Sequence, residues 1–370
     1  MRTVRRLLYR DIVWSVAFVA IAFLSLFFFI DVVDELDGVG RDGQTLGRLM
    51  LRTVLEVPGH FYELFPIAVL IGTIYAMARL AQSSEFTILR TGGLGPGRAL
   101  MLLAALGGVF AALTFVVGDY VAPWTERESV LLKAGGTGFA VQRGGAWLKE
   151  RRGEGEGVRN VSVNVSAITG NGELQGIRIF EFDADGRLLR QLAAGAARVG
   201  QDGIWHLRAV QQIDWPTPEA AKQGTPMVSR SVAALDWRST LNVRVVAAAL
   251  LPVQTMSTIE LWRYSAHLTD QDQAAQRHEI QFWKKALYPA ACLVMMALAL
   301  PFAYLHARAG GVSFKVFGGI MLGISFVLLN NVAGHVGLLK QWTPWLVAAA
   351  PSLLYLLMSM AAFAWLVRYR

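Results

Sequence analysis

The chain has 370 residues, of which 54% are hydrophobic and only 17% are charged. So apolar a composition over this length excludes an ordinary soluble enzyme and places the chain among integral membrane proteins. The formal charge of +8 is no nucleic-acid footprint, because residues 119–279 carry 18 basic and 18 acidic side chains, while the other 17 basic and 9 acidic residues flank apolar runs.

A bilayer core takes about 20 residues of helix. The uncharged run 12–30 is the first candidate span, followed by 64–78, which extends back through Pro58 if Glu63 and His60 lie near the interface. Runs 99–118, 286–305, 316–334 and 342–367 complete six expected spans. Arg2, Arg5, Arg6 and Arg10 precede the first run, whereas Asp31, Asp34, Glu35, Asp37 and Asp42 follow it, so the positive-inside rule puts the N-terminus in the cytoplasm. Arg79, Arg90 and Arg98 mark the next cytoplasmic loop, Arg308 and Lys315 another, and Arg368 and Arg370 the C-terminus. The first run lacks a small-x-small cleavage site and reads as an uncleaved anchor.

Between the second and third runs stands "SSEFTILRTGG". Ser83 or Ser84 can cap a helix there, and Glu85 in its first turn complements the helix dipole. Phe86 and Leu89 share a face, and Gly92 and Gly93 end it. Two turns are too short to be stable alone in water. The segment, about 83–93, is shaped to plug into a groove on a cytoplasmic partner; the competing reading is a connecting turn resting on the membrane surface.

The segment 135–253 has a different texture and, by the span count, lies outside the cytoplasm. "GIRIFEFDADGRLLRQL" alternates, turns at Asp185 and Gly186, and alternates again, a hairpin signal. "GIWHLRAVQQIDW" and "VSRSVAALDW" are further strands, and the expectation is an all-β domain of two packed sheets. Residues 254–282 read as connecting helices, the first opened by a capping box from Ser257 to Glu260. The predicted organisation is therefore 1–134 for spans one to three, 135–253, 254–282, and 283–370 for spans four to six.

The sequence carries little sign of chemistry. It has no G-x-x-x-x-G-K-[ST] phosphate loop and no G-x-S-x-G elbow, its six histidines are scattered, and its single cysteine, Cys292, rules out an intramolecular disulfide. No catalytic residue, metal site or resident cofactor is expected. In the fifth span Gly319 and Gly323 form a G-x-x-x-G that lets another helix approach closely, and Asn330 and Asn331 sit near its outer end.

"LAQSSEFTILRTGGL", "LLYRDI", "FPIAVLIG", "VAPWTE", "QFWKKALYP" and "GISFVLLNN", in that order, resemble the YjgP/YjgQ permeases, the membrane subunits of the lipopolysaccharide exporter, and the LptG type more than the LptF type. The resemblance covers nearly the whole chain. It implies a membrane α-helical protein of six transmembrane helices with an inserted all-β, jelly-roll-like extracytoplasmic domain. It implies pairing with an LptF-type permease around a lipid-sized cavity, an LptC-type membrane-anchored partner, and an LptB-type ATPase dimer that holds ATP and Mg. By the same resemblance Ser84, Glu85, Phe86, Leu89 and Arg90 form a coupling helix that meets that ATPase. Phe23, Phe27, Phe28, Phe317, Met321 and Ile324 would touch acyl chains of lipopolysaccharide, plain lipid being the competing neighbour for each. The implied function is extraction of lipopolysaccharide from the inner membrane to a periplasmic relay. The alternatives are a mechanotransmission permease or a membrane-anchored receptor that moves no lipid. The chain departs from the family in its "DVVDELD" after Phe28, where basic residues are expected and acidic ones would oppose an anionic headgroup.

Overall fold

The structure is a computed structural model that describes residues 2–36, 45–83, 95–133, 139–140, 145–152, 159–169, 173–200, 203–216, 226–241, 245–246, 253–270, 275–304 and 311–368. Its helices are α1 (Arg2–Leu36), α2 (Leu46–Gln82), α3 (Pro96–Val116), α4 (Ala122–Lys133), α5 (Thr258–Asp270), α6 (Gln276–Leu287), α7 (Ala291–Tyr304), α8 (Val312–Leu339) and α9 (Pro344–Arg368). A π-helical turn at Val117–Val121 joins α3 to α4, and a 3-10 turn at Tyr288–Ala290 joins α6 to α7. The chain divides into two compact units, one of Met1–Glu126 with Glu279–Arg370 and one of Arg127–His278.

Among the described residues six helices are long and apolar enough to cross a membrane, the number expected. The second is much longer than the 64–78 run. The Thr45 side chain caps α2 by accepting the Arg48 N–H, and the helix then continues for 37 residues through Pro58 and Pro66. An interior proline removes one backbone donor, a loss that neighbouring helices make tolerable in a membrane. At 1.5 Å per residue α2 spans about 55 Å, well beyond the roughly 30 Å hydrocarbon core. Its first turns therefore project past the bilayer beside the end of α1.

Residues 65–74 of α2 are buried without a break, as suits a helix apolar all round. The helices α1, α7 and α8 pack on α2, and α3 and α9 pack on α7. Gly72 makes the α1 contact close: a Cβ there would lie 2.6 Å from the Val16 backbone. The buried polar groups between spans are matched, Thr73 donating to Met296 Sδ at 3.0 Å and the Thr114 hydroxyl sitting 3.3 Å from Cys292 Sγ.

Among the described residues the second unit holds seven strands: β1 (Phe139–Ala140), β2 (Ala146–Arg152), β3 (Arg159–Ile168), β4 (Leu174–Phe182), β5 (Leu188–Val199), β6 (Ile204–Asp214) and β7 (Val228–Arg238). All pairings are antiparallel, and β3 to β7 follow one another as a meander, with β1 and β2 both beside β3. The expected hairpin is β4 and β5, with Gly186 at φ +79° and the Asp183 carboxylate accepting the Arg187 N–H at 2.8 Å. The expected capping box is also present: the Ser257 N–H donates to Glu260 at 2.9 Å, and the Glu260 N–H to the Ser257 hydroxyl at 3.3 Å.

The described strands form one hydrogen-bonded sheet where two were expected, and side-chain contacts explain why one suffices. Glu150 lies on β2 at one margin of the sheet, and β7 is the other margin. Yet the Glu150 carboxylate accepts the Thr240 N–H at 2.8 Å and the Ser239 hydroxyl at 2.8 Å, and the Arg152 guanidinium bonds both Glu150 and the Arg238 carbonyl. The sheet therefore curls until its margins meet. It encloses Leu148, Val163, Ile179, Leu192, Trp205 and Leu207, all fully buried. The two indoles of this core are pinned by their N–H groups, Trp205 to the Leu241 carbonyl at 2.9 Å and Trp237 to Glu181 at 3.1 Å.

Burial alone would push the Glu150 carboxyl up, but Arg152, Thr240 and Ser239 together more than offset it and hold it below the ordinary carboxylate range. A carboxyl depressed in the folded state adds stability that is complete above its unfolded pKa, about 4.3, and is lost as pH falls through the folded value. Glu150→Ala should therefore weaken the seam by roughly 2–4 kcal/mol at neutral pH, with the difference from wild type shrinking below about pH 4. Hydrogen exchange on the full chain would read this at β2 and at 238–241; unaltered protection there would remove the role given to Glu150.

Candidate functional site

The coupling-helix residues Ser84, Glu85, Phe86, Leu89 and Arg90 lie outside the described residues, but the ends that hold them are described. At the close of α2 the Ser83 N–H donates to the Arg79 carbonyl at 3.0 Å. Gly95 then precedes Pro96 at the start of α3, with the Ala99 N–H donating to Gly95 at 3.0 Å. The intervening chain joins two membrane-spanning helices.

Gly319 and Gly323 are buried against α2. A Cβ at Gly319 would lie 2.6 Å from Ile74 Cδ1, and one at Gly323 would lie 2.8 Å from Ile67 Cγ2. Small residues are what allow such an approach in lipid, where exclusion of water does not drive helices together. With this face fixed, the opposite face of α8 carries Phe314, Phe317, Met321, Ile324 and Leu328, each between 46 and 73% exposed. Their spacing of three and four residues makes one continuous stripe. All three predicted lipid contacts on α8 belong to it.

On α1 the predicted residues are placed otherwise. Phe23 packs against the buried core, Phe28 is half-buried, and the Phe27 ring lies 5.2 Å from the His60 ring. The most exposed apolar side chains of α1 are Trp14, Phe18, Ile21 and Phe29, at 63 to 74%. Residues 12–30 are so uniformly apolar that periodicity carries no signal there. The useful signal sits on α2, where Gly72 marks Val16 as the packed side of α1.

Two acidic residues of the stretch after the first span are matched from α2, Asp37 and Asp42 lying outside the described residues. Asp31 lies 2.8 Å from His60, Glu35 lies 2.5 Å from Arg52, and Arg52 also reaches Glu56 at 3.2 Å. Asp34 remains exposed. At the other end of the same helix pair Arg79 holds Asp11 at 2.8 Å. Further contacts gather at the distal end of the bundle, that of Leu36. Tyr62 and Tyr288 meet at 4.8 Å, Lys285 lies 5.9 Å above the Tyr62 ring, and the Lys284 ammonium donates to the Asn330 carbonyl of α8 at 2.8 Å. Among the described residues no group of three His, Cys, Asp or Glu side chains is placed to hold a metal ion. What this arrangement offers is an apolar wall with a polar rim.

The sequence matches the family described as lipopolysaccharide export system permease LptF/LptG over residues 6–368. It is 27% identical over 342 residues to the lipopolysaccharide export system permease protein LptG of Escherichia coli, covering 91% of each chain. It is 24% identical over 362 residues to the protein of the same name from Haemophilus influenzae, covering 97% of each.

The α8 packing makes its own prediction. Gly323→Ala should lower stability by about 1–3 kcal/mol, the cost of overpacking a close contact. Adding Ile67→Ala should return part of it, because the two residues share one space. Thermal unfolding of the detergent-purified protein measures both, and strictly additive losses would show that this contact does not limit the fold.

Proposed function

The chain belongs to the LptF/LptG family of lipopolysaccharide export permeases, and from that premise we propose that it is one wall of an ATP-driven lipid extractor. As a member of that family with six membrane-spanning helices, it is a multi-pass inner-membrane permease subunit. The proposal goes further. A separate LptB-type ATPase dimer, carrying ATP and Mg, grips the 83–93 loop, with Glu85 as the acidic contact beside Ser84, Phe86, Leu89 and Arg90. An LptF-type permease supplies the opposite wall, and an LptC-type partner receives lipopolysaccharide for the periplasmic relay. Both termini face the cytoplasm and the β-sheet unit faces the periplasm.

The observation that carries this reading is the extent of the family match, which runs through all six spans and the inserted sheet. The likeness is thus to a complete permease subunit. The geometry supports it in a second way. The helices α1 and α8 both rest on α2, buried over residues 65–74, and both keep an apolar side uncovered. In the proposed cycle, closure of the ATPase dimer displaces the loop, and the paired walls narrow around the acyl chains. Phe23, Phe27 and Phe28 on α1, with Phe317, Met321 and Ile324 on α8, are the proposed contacts.

Two outcomes are expected. Glu85→Lys should abolish co-purification of the ATPase subunit while the chain still inserts in the membrane; recovery of the subunit at wild-type yield would sink the assigned contact. Photo-crosslinkers at Phe317, Met321 and Ile324 should capture lipopolysaccharide in amounts that depend on ATP. A protein that only transmits motion or senses a ligand would yield no such adducts.

A further inference from the structure

Charge is distributed unequally between the two halves of the membrane unit. The segment before residue 119 holds nine acidic residues, five of them between Asp31 and Asp42. After Glu279 the chain has no Asp or Glu at all, but it has seven Lys and Arg residues. Glu279, in the first turn of α6, is thus the last acidic residue, and every charged residue from Lys284 onward is a cation.

One of these cations is placed unusually. Lys284 is half-buried on α6, and its ammonium donates to the backbone carbonyl of Asn330, an uncharged acceptor. It approaches α8 at Gly334, where a Cβ would lie 2.3 Å from Nζ. Among the described residues no carboxylate stands within ion-pair distance of it, in contrast to Arg52 and Arg79. A positive charge close to lipid with only a dipole for company favours an anion beside it.

The exposed stripe of α8 leads to the same place. It continues from Leu328 to Asn331 and His335 with unbroken spacing and unbroken exposure, so two polar side chains enter it there, one turn before the exposed Leu338 and Leu339 close the helix. From Phe314 to His335 is 21 residues, about 31 Å of helix, close to the thickness of the hydrocarbon core. Asn331 and His335 thus fall where headgroups begin. Lys284 flanks them through Asn330 and Gly334, one helical position away on the same turns.

We infer that the distal end of α8 is a phosphate-binding site for a membrane lipid, with Lys284, Asn331 and His335 holding the phosphate while the acyl chains lie along Phe317, Met321, Ile324 and Leu328. The inference rests on the lipid-permease reading above and adds which wall takes the anionic group. On the α1 side the acids Asp31, Asp34, Glu35 and Glu56 still outnumber the cations Arg48, Arg52 and His60, and Arg52 is already held by Glu35 and Glu56. The Lys284 ammonium donates to phosphate oxygens and the Asn331 amide adds a neutral donor, while His335, whose Nδ1 lies 2.8 Å from the Asn331 carbonyl, donates through Nε2 when the anion holds it as the imidazolium.

The test uses the full chain in proteoliposomes, with a photo-crosslinking residue either at Val332, at headgroup level, or at Met321, at acyl level. Two lipids are compared, bis-phosphorylated lipid A and the same lipid after removal of both phosphates. Lys284→Ala should reduce the phosphorylated adduct at Val332 roughly tenfold, the worth of one charge-assisted hydrogen bond, and leave the dephosphorylated adduct unchanged. Gly334→Ala, which displaces the ammonium without removing it, should act likewise, and Lys284→Arg should retain most of the signal. An undiminished phosphorylated adduct in Lys284→Ala, or an equal loss for both lipids, overturns the site while leaving the lipid contact at Met321 intact. A Val332 adduct to a second polypeptide instead of lipid also overturns it, by making this face a subunit interface. Absence of any lipid adduct at Met321 would instead remove the lipid-contact reading of α8, and the site with it.

Discussion

A helix buried on every side within a bilayer cannot be held there by exclusion from water, since lipid tails are as apolar as the side chains it presents. Dispersion and close fit must do the holding. Residues 65–74 of α2 meet this constraint, and the arrangement of the membrane unit follows from it. Neighbours must come near enough for backbone to approach side chain, which is why the glycines sit where they do: Gly72 under Val16, and Gly319 and Gly323 under Ile74 and Ile67. The packed side of α8 is thereby decided, and so is the side it leaves exposed.

The polar groups obey the complementary rule. Where α1 and α2 extend beyond the hydrocarbon core, their acidic residues would repel one another unless matched, and Arg52 and His60 supply the match across the helix pair. The same pairing offers a physical account of the acidic stretch that sets this chain apart from the pattern expected of its family. Part of that charge is engaged in joining α1 to α2 and is not offered to a headgroup. The chain after Glu279 carries no acidic residue, so the charge there is of the opposite sign to that of the stretch after α1.

Much of this was legible from residue order, for identifiable reasons. Five spans were plain because each has its own long uncharged run. The true length of α2 was hidden because Glu56, His60 and Glu63 look like the end of a span until Asp31 and Glu35 are brought beside that helix, and no local period displays such a pairing. The hairpin of β4 and β5 announced itself through Asp185 and Gly186. The closure of the sheet did not, because Glu150 and Thr240 are 90 positions apart and neither strand alone signals the other. On α8 the glycine pair betrays the packed face, so the predicted Phe317, Met321 and Ile324 fall together on the exposed one. On α1 a nearly unbroken apolar run leaves every face equivalent, and the residues chosen there lie nearer the core than Trp14 or Phe18.

The two walls are also attached to α2 by different physics. Polar contacts near both ends fasten α1, through Asp11 with Arg79 and through Asp31 and Glu35 with His60 and Arg52. Moving α1 along α2 would separate charged partners at each end in surroundings that screen them poorly. The close contacts of α8 on α2 run through glycines and isoleucines, and its distal hydrogen bond from Lys284 uses a carbonyl that any neighbouring turn of helix could also present. Sliding α8 would carry larger side chains into the places that Gly319 and Gly323 leave for Ile74 and Ile67, a resistance that is steric and not electrostatic. Charge at both ends thus holds α1 in register on α2, whereas shape along the middle of the helix holds α8.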